Sequence, residues 1–425
     1  MTGSPPDPPV FPDLGKAAEL LAAGELPVDP LLARRKLAGR VPDEVARAAI
    51  ELADLRRRAA PKFRDPDSMW LTRKGLEQST RLAVADWRAS EVARLDPGAR
   101  VWDRTAGLGA DCLALARAGL VLVASELDPL HAACCRANLA TAGVEAPVRC
   151  GDSLRQDEPC DLVVLDPDRR PASEIGEGGR PGGGRRRLDA TAFAPPVRTW
   201  PTALGAGRGG WIKLPPGLDP AVLEAELGTW LEDTPHRWTW IEEAGDLCEL
   251  TLWTGALAPP EEPHRAAVRL NGGIHRLAAD GPAPFPGPSP DPDAVTLLAE
   301  PRPSVLRAGL VELAAERAGH GLAALDPEVA YLASSESGPA PDPNPFLDLF
   351  RVVASSPLDR KRVRRLLAEH DIGALTVKKR GLPETAEALG KRFRGKGSRP
   401  GLVVVTPTPS GRRLYLVERI SMPVS

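Results

Sequence analysis

The stretch Asp103-Arg-Thr-Ala-Gly107-Leu-Gly109 follows the apolar run 99–102 and leads into the apolar-periodic segment 112–118. A strand, a glycine turn and a helix start, in that order, make a nucleotide-type pocket. Glycine lets the backbone approach a ligand, and the first turn of a helix presents N–H groups without partners. The motif of an apolar run ending on an acid recurs: Glu126 follows 120–125, Asp152 follows 148–151 and Asp166 follows 162–165. Four acids thus close four successive strands, which in an open α/β sheet is the ligand side.

Two ligand classes fit a glycine loop with a carboxylate downstream, and spacing separates them. A dinucleotide site needs G-x-G-x-x-G with an acid about 20 residues further on. From Gly107 the chain reads Gly-Leu-Gly-Ala-Asp-Cys, so the third glycine is missing. S-adenosylmethionine (SAM) has no phosphate and needs a short tight turn plus carboxylates that accept from ribose hydroxyls and an adenine amine. A plain buried turn would account for the glycines but not for the series of four acids. SAM is therefore the expected cofactor.

Composition excludes little. At 425 residues the chain is long enough for two to four domains, and 55 Lys+Arg against 57 Asp+Glu give a net charge of −2, which selects no partner. The six cysteines, Cys112, Cys134, Cys135, Cys150, Cys160 and Cys248, contain no C-x-x-C pair and read as small buried residues, so no metal site is expected. The N-terminus lacks a basic-then-apolar pattern and no apolar run approaches 18 residues. The expectation is a cytoplasmic protein without a membrane partner.

Working outward from the loop, residues 1–98 carry helical spacing after a proline-rich start. Pro42-Asp43 opens a helix through Val45, Ala48, Ala49, Leu52 and Leu55, and Thr80 is placed to cap another through Leu82, Ala85, Ala89 and Val92. Residues 99–255 alternate strand and helix patterns, with further strands at 210–214, 237–241 and 248–253. The fold class is α/β: a Rossmann-like seven-stranded sheet, mostly parallel with a late antiparallel hairpin. The segment 180–187, Arg-Pro-Gly-Gly-Gly-Arg-Arg-Arg, has no regular pattern and reads as a loop on the ligand side. Residues 256–303, dense in Pro, Gly and Asp, read as a connector with a short hairpin at Asn271-Gly272-Gly273. Residues 304–425 form a small α+β module, with helices expected at 304–317, 327–332, 359–369 and 384–392 and strands at 350–354, 374–378, 402–406 and 413–417. Residues 351–400 carry 14 Lys/Arg against 5 Asp/Glu, a net of plus nine in a chain that is slightly acidic as a whole.

Methyl transfer from a sulfonium leaves a neutral thioether, so it depends on alignment more than on acid–base machinery. Asp103, with Gly107 and Gly109, is expected near the sulfonium end of SAM; Glu126 suits the ribose hydroxyls and Asp152 the adenine amine. Asp166-Pro167-Asp168-Arg169-Arg170 is the candidate catalytic motif: Asp166 and the carbonyl after it can accept from a substrate amine and aim its lone pair, while Arg169 and Arg170 suit a phosphate or a base face. Lys62-Phe63 and Met69-Trp70-Leu71-Thr72, between the N-terminal helices, can form part of a substrate wall, although packing into the core is the role expected first of Phe63 and Trp70.

With these motifs the chain resembles class I SAM-dependent methyltransferases, and more closely a bacterial family in which that domain carries a C-terminal THUMP-like module. The residues that carry the resemblance are Lys62-Phe63, Gly75-Leu-Glu77-Gln78-Ser-Thr80, Asp103 to Gly109, Asp166 to Arg170, Lys213-Leu-Pro-Pro-Gly217 and Leu375-Thr-Val-Lys378-Lys379-Arg380-Gly381. The core is also distantly similar to trimethylguanosine synthase, which methylates a guanine amine on RNA. The resemblance implies SAM as cofactor and RNA, as tRNA or rRNA, as substrate. It implies Lys62, Phe63, Gln78, Thr80, Lys213, Lys378, Lys379 and Arg380 as substrate or RNA contacts. Two departures stand out: Thr105 replaces the usual first glycine of the SAM loop, and Asp168-Arg169 replaces the proline and aromatic of amine-directed nucleic-acid methyltransferases. A small-molecule or protein methyltransferase, with the C-terminal module structural, is the alternative.

Overall fold

A computed structural model describes residues 29–169, 193–282, 290–336, 338 and 342–420. The chain divides into two compact units, 1–237 with 249–262 and 238–248 with 263–425.

In the first unit, four helices precede the sheet: α1 (Pro30–Leu37), α2 (Asp43–Arg58), α3 (Arg73–Gln78) and α4 (Leu82–Leu95). α2 buries Val45, Ala49, Leu52 and Leu55, the stripe that its 3–4 spacing marks out. Next come β1 (Arg100–Asp103), α5 (Ala110–Arg117), β2 (Val121–Glu126), α6 (Pro129–Thr141), β3 (Val148–Cys150) and β4 (Leu162–Leu165), then β5 (Asp168–Arg169), β6 (Phe193–Ala194), α7 (Trp200–Leu204), β7 (Gly209–Leu214) and α8 (Pro220–Asp233). β9 (Asp246–Gly255) closes the series, and β8 (His236–Glu243), which precedes it in the chain, falls from Trp238 onward in the second unit.

β1 pairs in parallel with β2 and β4, β2 with β3, and β4 with β7, while β9 runs antiparallel on β7. The order is β3-β2-β1-β4-β7-β9, with β1 and β4 at the centre. Their side chains are almost wholly buried because helices cover both faces of a parallel sheet. β8 is joined to β9 by the two-residue turn Ala244-Gly245, both at positive φ (51° and 90°), and among the described residues the sheet has nine strands where seven were expected, since β10 (Arg265–Leu270) and β11 (Ile274–Ala279) extend it. Among the described residues β5 pairs only with β6, as a two-stranded ribbon past the end of β4.

The second unit holds β10 (Arg265–Leu270), parallel to β8, and β11 (Ile274–Ala279), antiparallel to β10 across Asn271-Gly272-Gly273. It continues with β12 (Leu297–Pro301), α9 (Pro303–Ala308), α10 (Val311–Ala318), β13 (Ala323–Asp326), β14 (Val329–Ser334), β15 (Leu347–Pro357), α11 (Arg360–Glu369), β16 (Ile372–Lys379), α12 (Ala386–Phe393), β17 (Arg399–Thr408) and β18 (Gly411–Ile420). A seven-stranded sheet runs β13-β14-β12-β15-β18-β17-β16. One apolar cluster gathers Val363, Leu366, Leu367, Leu389 and Phe393 from α11 and α12 against Val403 and Leu414; another gathers Leu298, Leu325, Tyr331, Phe350 and Tyr415.

Three expectations need revision here. Residues 327–332 are not helix but a turn (327–328) leading into β14: Tyr331 and Ala333 are needed in the second cluster, and a six-residue segment buries more by pairing with β12 and β13 than as one and a half turns of helix. The helix expected over 304–317 breaks into α9 and α10 at Gly309, whose φ of 70° ends α9. Residues 256–303 contain β10, β11 and β12 as well as turns, because Ala266, Ala267, Val268, Leu270 and Leu277 are an apolar set that must be buried. Arg170 and the arginine run 185–187 lie outside the described residues. Among those described, no helix is long and apolar enough to cross a membrane, and no group of His, Cys, Asp and Glu is placed to hold a metal ion.

Candidate active site

Because β1, β2, β3 and β4 are parallel, Asp103, Glu126, Asp152 and Asp166 are carried to the same edge of the sheet. Gly107 (φ 55°) and Gly109 (φ 86°) turn the chain between β1 and α5 in a conformation that L side chains rarely adopt. Gly109 is also the residue before the first turn of α5. A Cβ at Gly109 would stand 3.0 Å from Cys135 Sγ, so the loop is held down on α6. Glu126 anchors the loop: Oε2 accepts from Gly107 N at 2.7 Å and Oε1 from Asp128 N at 2.9 Å. The carboxylate is half-buried and keeps lone pairs toward the edge. Asp152 caps the short turn after β3, accepting from Leu154 N at 3.0 Å.

Asp103 is placed differently from the expectation. It is 2% exposed, turned under the loop, with Oδ1 accepting from Thr105 N at 3.0 Å and Oδ2 meeting Cys112 Sγ at 3.4 Å. Burial, reinforced by the nearby Asp111 charge, pushes its carboxyl up to about 7. Its position fits shaping the loop rather than facing a ligand. Thr105, at the departure from the glycine pattern, accepts from Asp166 N at 2.6 Å and so ties the loop to the end of β4.

Asp166 belongs to a buried ionic network that no single motif announces. Lys213 of β7, 8% exposed, pairs with Asp166 Oδ2 and with Asp111 Oδ2 at 2.9 Å, and donates to Thr80 Oγ1 at 2.6 Å. Thr80 donates to Asp111 Oδ2 at 2.9 Å. Arg88 of α4 pairs with Asp111 Oδ1 at 2.5 Å and with Glu249 of β9, and Thr251 donates to Glu249 at 2.6 Å. Burial works to raise the Asp111 carboxyl, but Arg88 and Lys213 outweigh it and hold the group well below its ordinary range. Burial likewise works against a charged Lys213, yet Asp111 and Asp166 hold its ammonium above the ordinary lysine value. At Asp166 burial prevails over Lys213, and its carboxyl is raised.

The flanking candidates gather beside this network. Gln78 Nε2 donates to Asp168 Oδ1 at 3.0 Å, and Lys74 lies 3.6 Å from Asp168 Oδ2. Lys62 donates to the carbonyls of Leu76 and Glu77 at the end of α3; burial, with Arg81 and Lys213 adding repulsion, lowers its ammonium to about 8. Phe63 is buried in packing. Thr80 does not cap α4, whose start has no side-chain cap, because its hydroxyl is committed to Asp111 and Lys213. Lys213, expected at the RNA face, is committed to the network instead. In the second unit, Lys378 and Arg380 both pair with Glu300, and Lys379 donates to Leu382 O at 2.9 Å. Pro167 is buried and Arg169 lies in β5.

Sequence reading missed Asp111, Arg88 and Glu249. Asp111 stands two residues past Gly109 and was available to notice, whereas Arg88 and Glu249 lie 23 and 138 residues from it in opposite directions and carry no local signal. It also missed two leucines at the strand ends, Leu127 (69% exposed) and Leu154 (37%), next to Glu126 and near Asp152. Exposed leucines that close to the acids offer apolar surface to a flat ring.

A parallel sheet centred on β1 and β4, a glycine turn after β1 and an acid closing β2 define a class I methyltransferase domain. The comparisons agree with that class and narrow it. Residues 347–419 match the THUMP domain-like family. The chain is 32% identical over 387 residues, 88% of its length, to an uncharacterized S-adenosylmethionine-dependent methyltransferase of Mycobacterium tuberculosis strain CDC 1551 / Oshkosh, of which it covers 96%; the counterpart in strain H37Rv matches equally. A crystal structure of a methyltransferase from Porphyromonas gingivalis W83 is similar in fold, with a TM-score of 0.71 at 18% identity over 97% of this chain and 98% of that one. The chain belongs to the SAM-dependent methyltransferases with a C-terminal THUMP-like domain. It is an enzyme, and SAM is its cofactor.

Proposed function

We propose that the enzyme methylates a nitrogen of an RNA base, in tRNA or rRNA. The observation that carries the RNA reading is the charge of the THUMP-like region: of the 14 cations in 351–400, Arg360, Lys361, Arg362, Arg364 and Arg365 stand exposed on α11, while Val363, Leu366 and Leu367 of the same helix are buried. A helix that packs by one side and offers five cations on the other suits a phosphate backbone. The internal pairing of Lys378 and Arg380 with Glu300 moves the docking role from the Lys-Lys-Arg block to this helix.

SAM supplies a methyl group on a sulfonium, whose thioether leaves neutral with the bonding pair. In this reading the turn Gly107 to Gly109 would admit SAM close to the backbone, Glu126 would accept from the ribose hydroxyls, Leu127 and Leu154 would offer apolar surface to the adenine, and Asp152 would accept from its amine. Among the described residues no donor reaches Asp166 Oδ1, since Lys213 takes Oδ2. That oxygen accepts the N–H of the nucleophile and aims its lone pair at the methyl, and the proton released as the N–C bond forms passes to the carboxylate or to solvent. Gln78 and Lys74 fix Asp168 beside it.

The test is separate incubation of the purified enzyme and tritiated SAM with bulk RNA, protein extract and metabolites from a strain lacking the gene, followed by nucleoside mass spectrometry of the RNA. Label in one methylated nucleoside that the deletion strain lacks is the expected result. Label only in protein or metabolite fractions would replace this reading with the alternative of a small-molecule or protein methyltransferase, which the internal pairing of Lys378 and Arg380 favours.

A further inference from the structure

Five charged side chains from five elements meet in the first unit: Arg88 (α4), Asp111 (α5), Asp166 (after β4), Lys213 (β7) and Glu249 (β9). Burying ions is costly, and apolar residues of similar volume commonly serve stability as well or better, so such a network calls for another reason. Only one of its members, Asp166, stands at the edge where the strand-end acids collect. The other four are arranged behind it. Arg88 neutralises Asp111, Asp111 orients Lys213, and Lys213, also held by Thr80, is aimed at one oxygen of Asp166.

We propose that Lys213 is a positioning residue for methyl transfer: clamped by Asp111 and Thr80, it fixes the Asp166 carboxylate at Oδ2 and leaves Oδ1 free to accept from the nucleophile. This rests on Asp166 facing the nucleophile, as proposed above. The charges around Asp166 make Lys213 the decisive one. Burial is the largest influence raising it, and Asp111 and Glu249 add to it as like charges; among the described residues Lys213 is the cation that opposes them. Around Lys213 itself stand Asp103, Lys62 and Arg88, and Asp168 follows Asp166 in the chain with Gln78 and Lys74 as partners. Without the ammonium, the Asp166 carboxyl would be raised further, and a protonated carboxyl accepts poorly and is not pinned.

The test compares Lys213→Met and Lys213→Arg with the wild-type enzyme by carbon-13 NMR of labelled aspartate carboxylates, the Asp166 line being assigned by its loss in Asp166→Asn. Methyl transfer to bulk RNA is followed against pH in the same proteins. In Lys213→Met the Asp166 line should titrate at higher pH, turnover at pH 7 should fall about 100-fold with the acid limb of the profile moved upward, and SAM affinity should stay within about threefold. Lys213→Arg should restore part of the turnover and of the titration. An Asp166 line that titrates as in the wild type once Lys213 is methionine overturns the proposal, as does an unmoved pH profile. If Lys213→Met does not fold, Lys213→Gln takes its place, and an Asp166 line that titrates there as in the wild type overturns the proposal. Full turnover in Asp166→Asn would instead refute the role given to Asp166, while the NMR titration still reports on its coupling to Lys213.

Discussion

At the scale of single residues, the acids that close the strands have separated into different jobs. Asp103 is buried under the loop and holds its proton to about 7, whereas in the unfolded chain it ionises near pH 4. Between those values the folded protein binds the extra proton, so this residue makes stability fall as pH rises from 4 to 7. Asparagine at 103 keeps an acceptor for Thr105 N and cannot ionise. Asp103→Asn should therefore gain stability relative to wild type on going from pH 5 to pH 8, by an amount of order 2–4 kcal/mol, measured by urea unfolding at the two pH values. An equal difference at both would mean that Asp103 is ionised throughout. Glu126 has the contrary character, half-buried with both oxygens on backbone N–H groups and lone pairs to spare. Glu126→Gln should weaken SAM binding by roughly 10- to 100-fold, the worth of a hydrogen bond to a charged acceptor, in calorimetric titration.

At the scale of elements, α3 and the glycine loop depend on one another. Gly75 in α3 lies so close to the loop that a Cβ there would stand 2.6 Å from Leu108 Cγ, and Leu108 lies between Gly107 and Gly109. Alanine would favour the helix by about 0.5–1 kcal/mol, but overpacking against a buried leucine costs about 1–3 kcal/mol, so the clash wins. Gly75→Ala should lower the melting temperature and weaken SAM binding severalfold; unchanged affinity would show that α3 does not set the loop. The same element shows how far the sequence could be read. Strand ends and the glycine turn were legible because they are local: an apolar run, an acid, a glycine. So were α11, β16, α12, β17 and β18, whose expected positions lie within a few residues of those observed. β14 was not, since six residues, Val-Ala-Tyr-Leu-Ala-Ser, carry no period that distinguishes strand from helix, and only the partners β12 and β13 decide it. Nor was the Arg88–Asp111–Glu249 assembly, in which residues far apart in sequence are brought together by the order of strands β4, β7 and β9.

At the scale of the whole molecule, the near-zero net charge hides a strong local asymmetry, and it is the asymmetry that has a physical consequence. A chain with net charge −2 has no long-range attraction for RNA, so any affinity must come from a cationic region acting within a Debye length of about 8–10 Å. The exposed cations of α11 form a run on one helix that is little committed elsewhere: Arg365 pairs with Glu369 at 3.6 Å on the surface, a contact of small worth, while Lys378 and Arg380 are tied to Glu300. Each phosphate contact releases a counterion and steepens the salt dependence by about 0.9 in the slope of log K against log salt. The full-length protein should thus lose tRNA affinity progressively between 50 and 200 mM salt. Replacing Arg360, Lys361 and Arg364 together by glutamate should weaken binding by at least about tenfold at low salt and flatten the slope by up to about 3. SAM affinity should not change, because these side chains lie on the solvent side of a helix in the second unit while the glycine turn belongs to the first. Binding that is unaltered by the three reversals, with the salt slope intact, would transfer the docking role away from α11 and leave its cations as a solvated helix face.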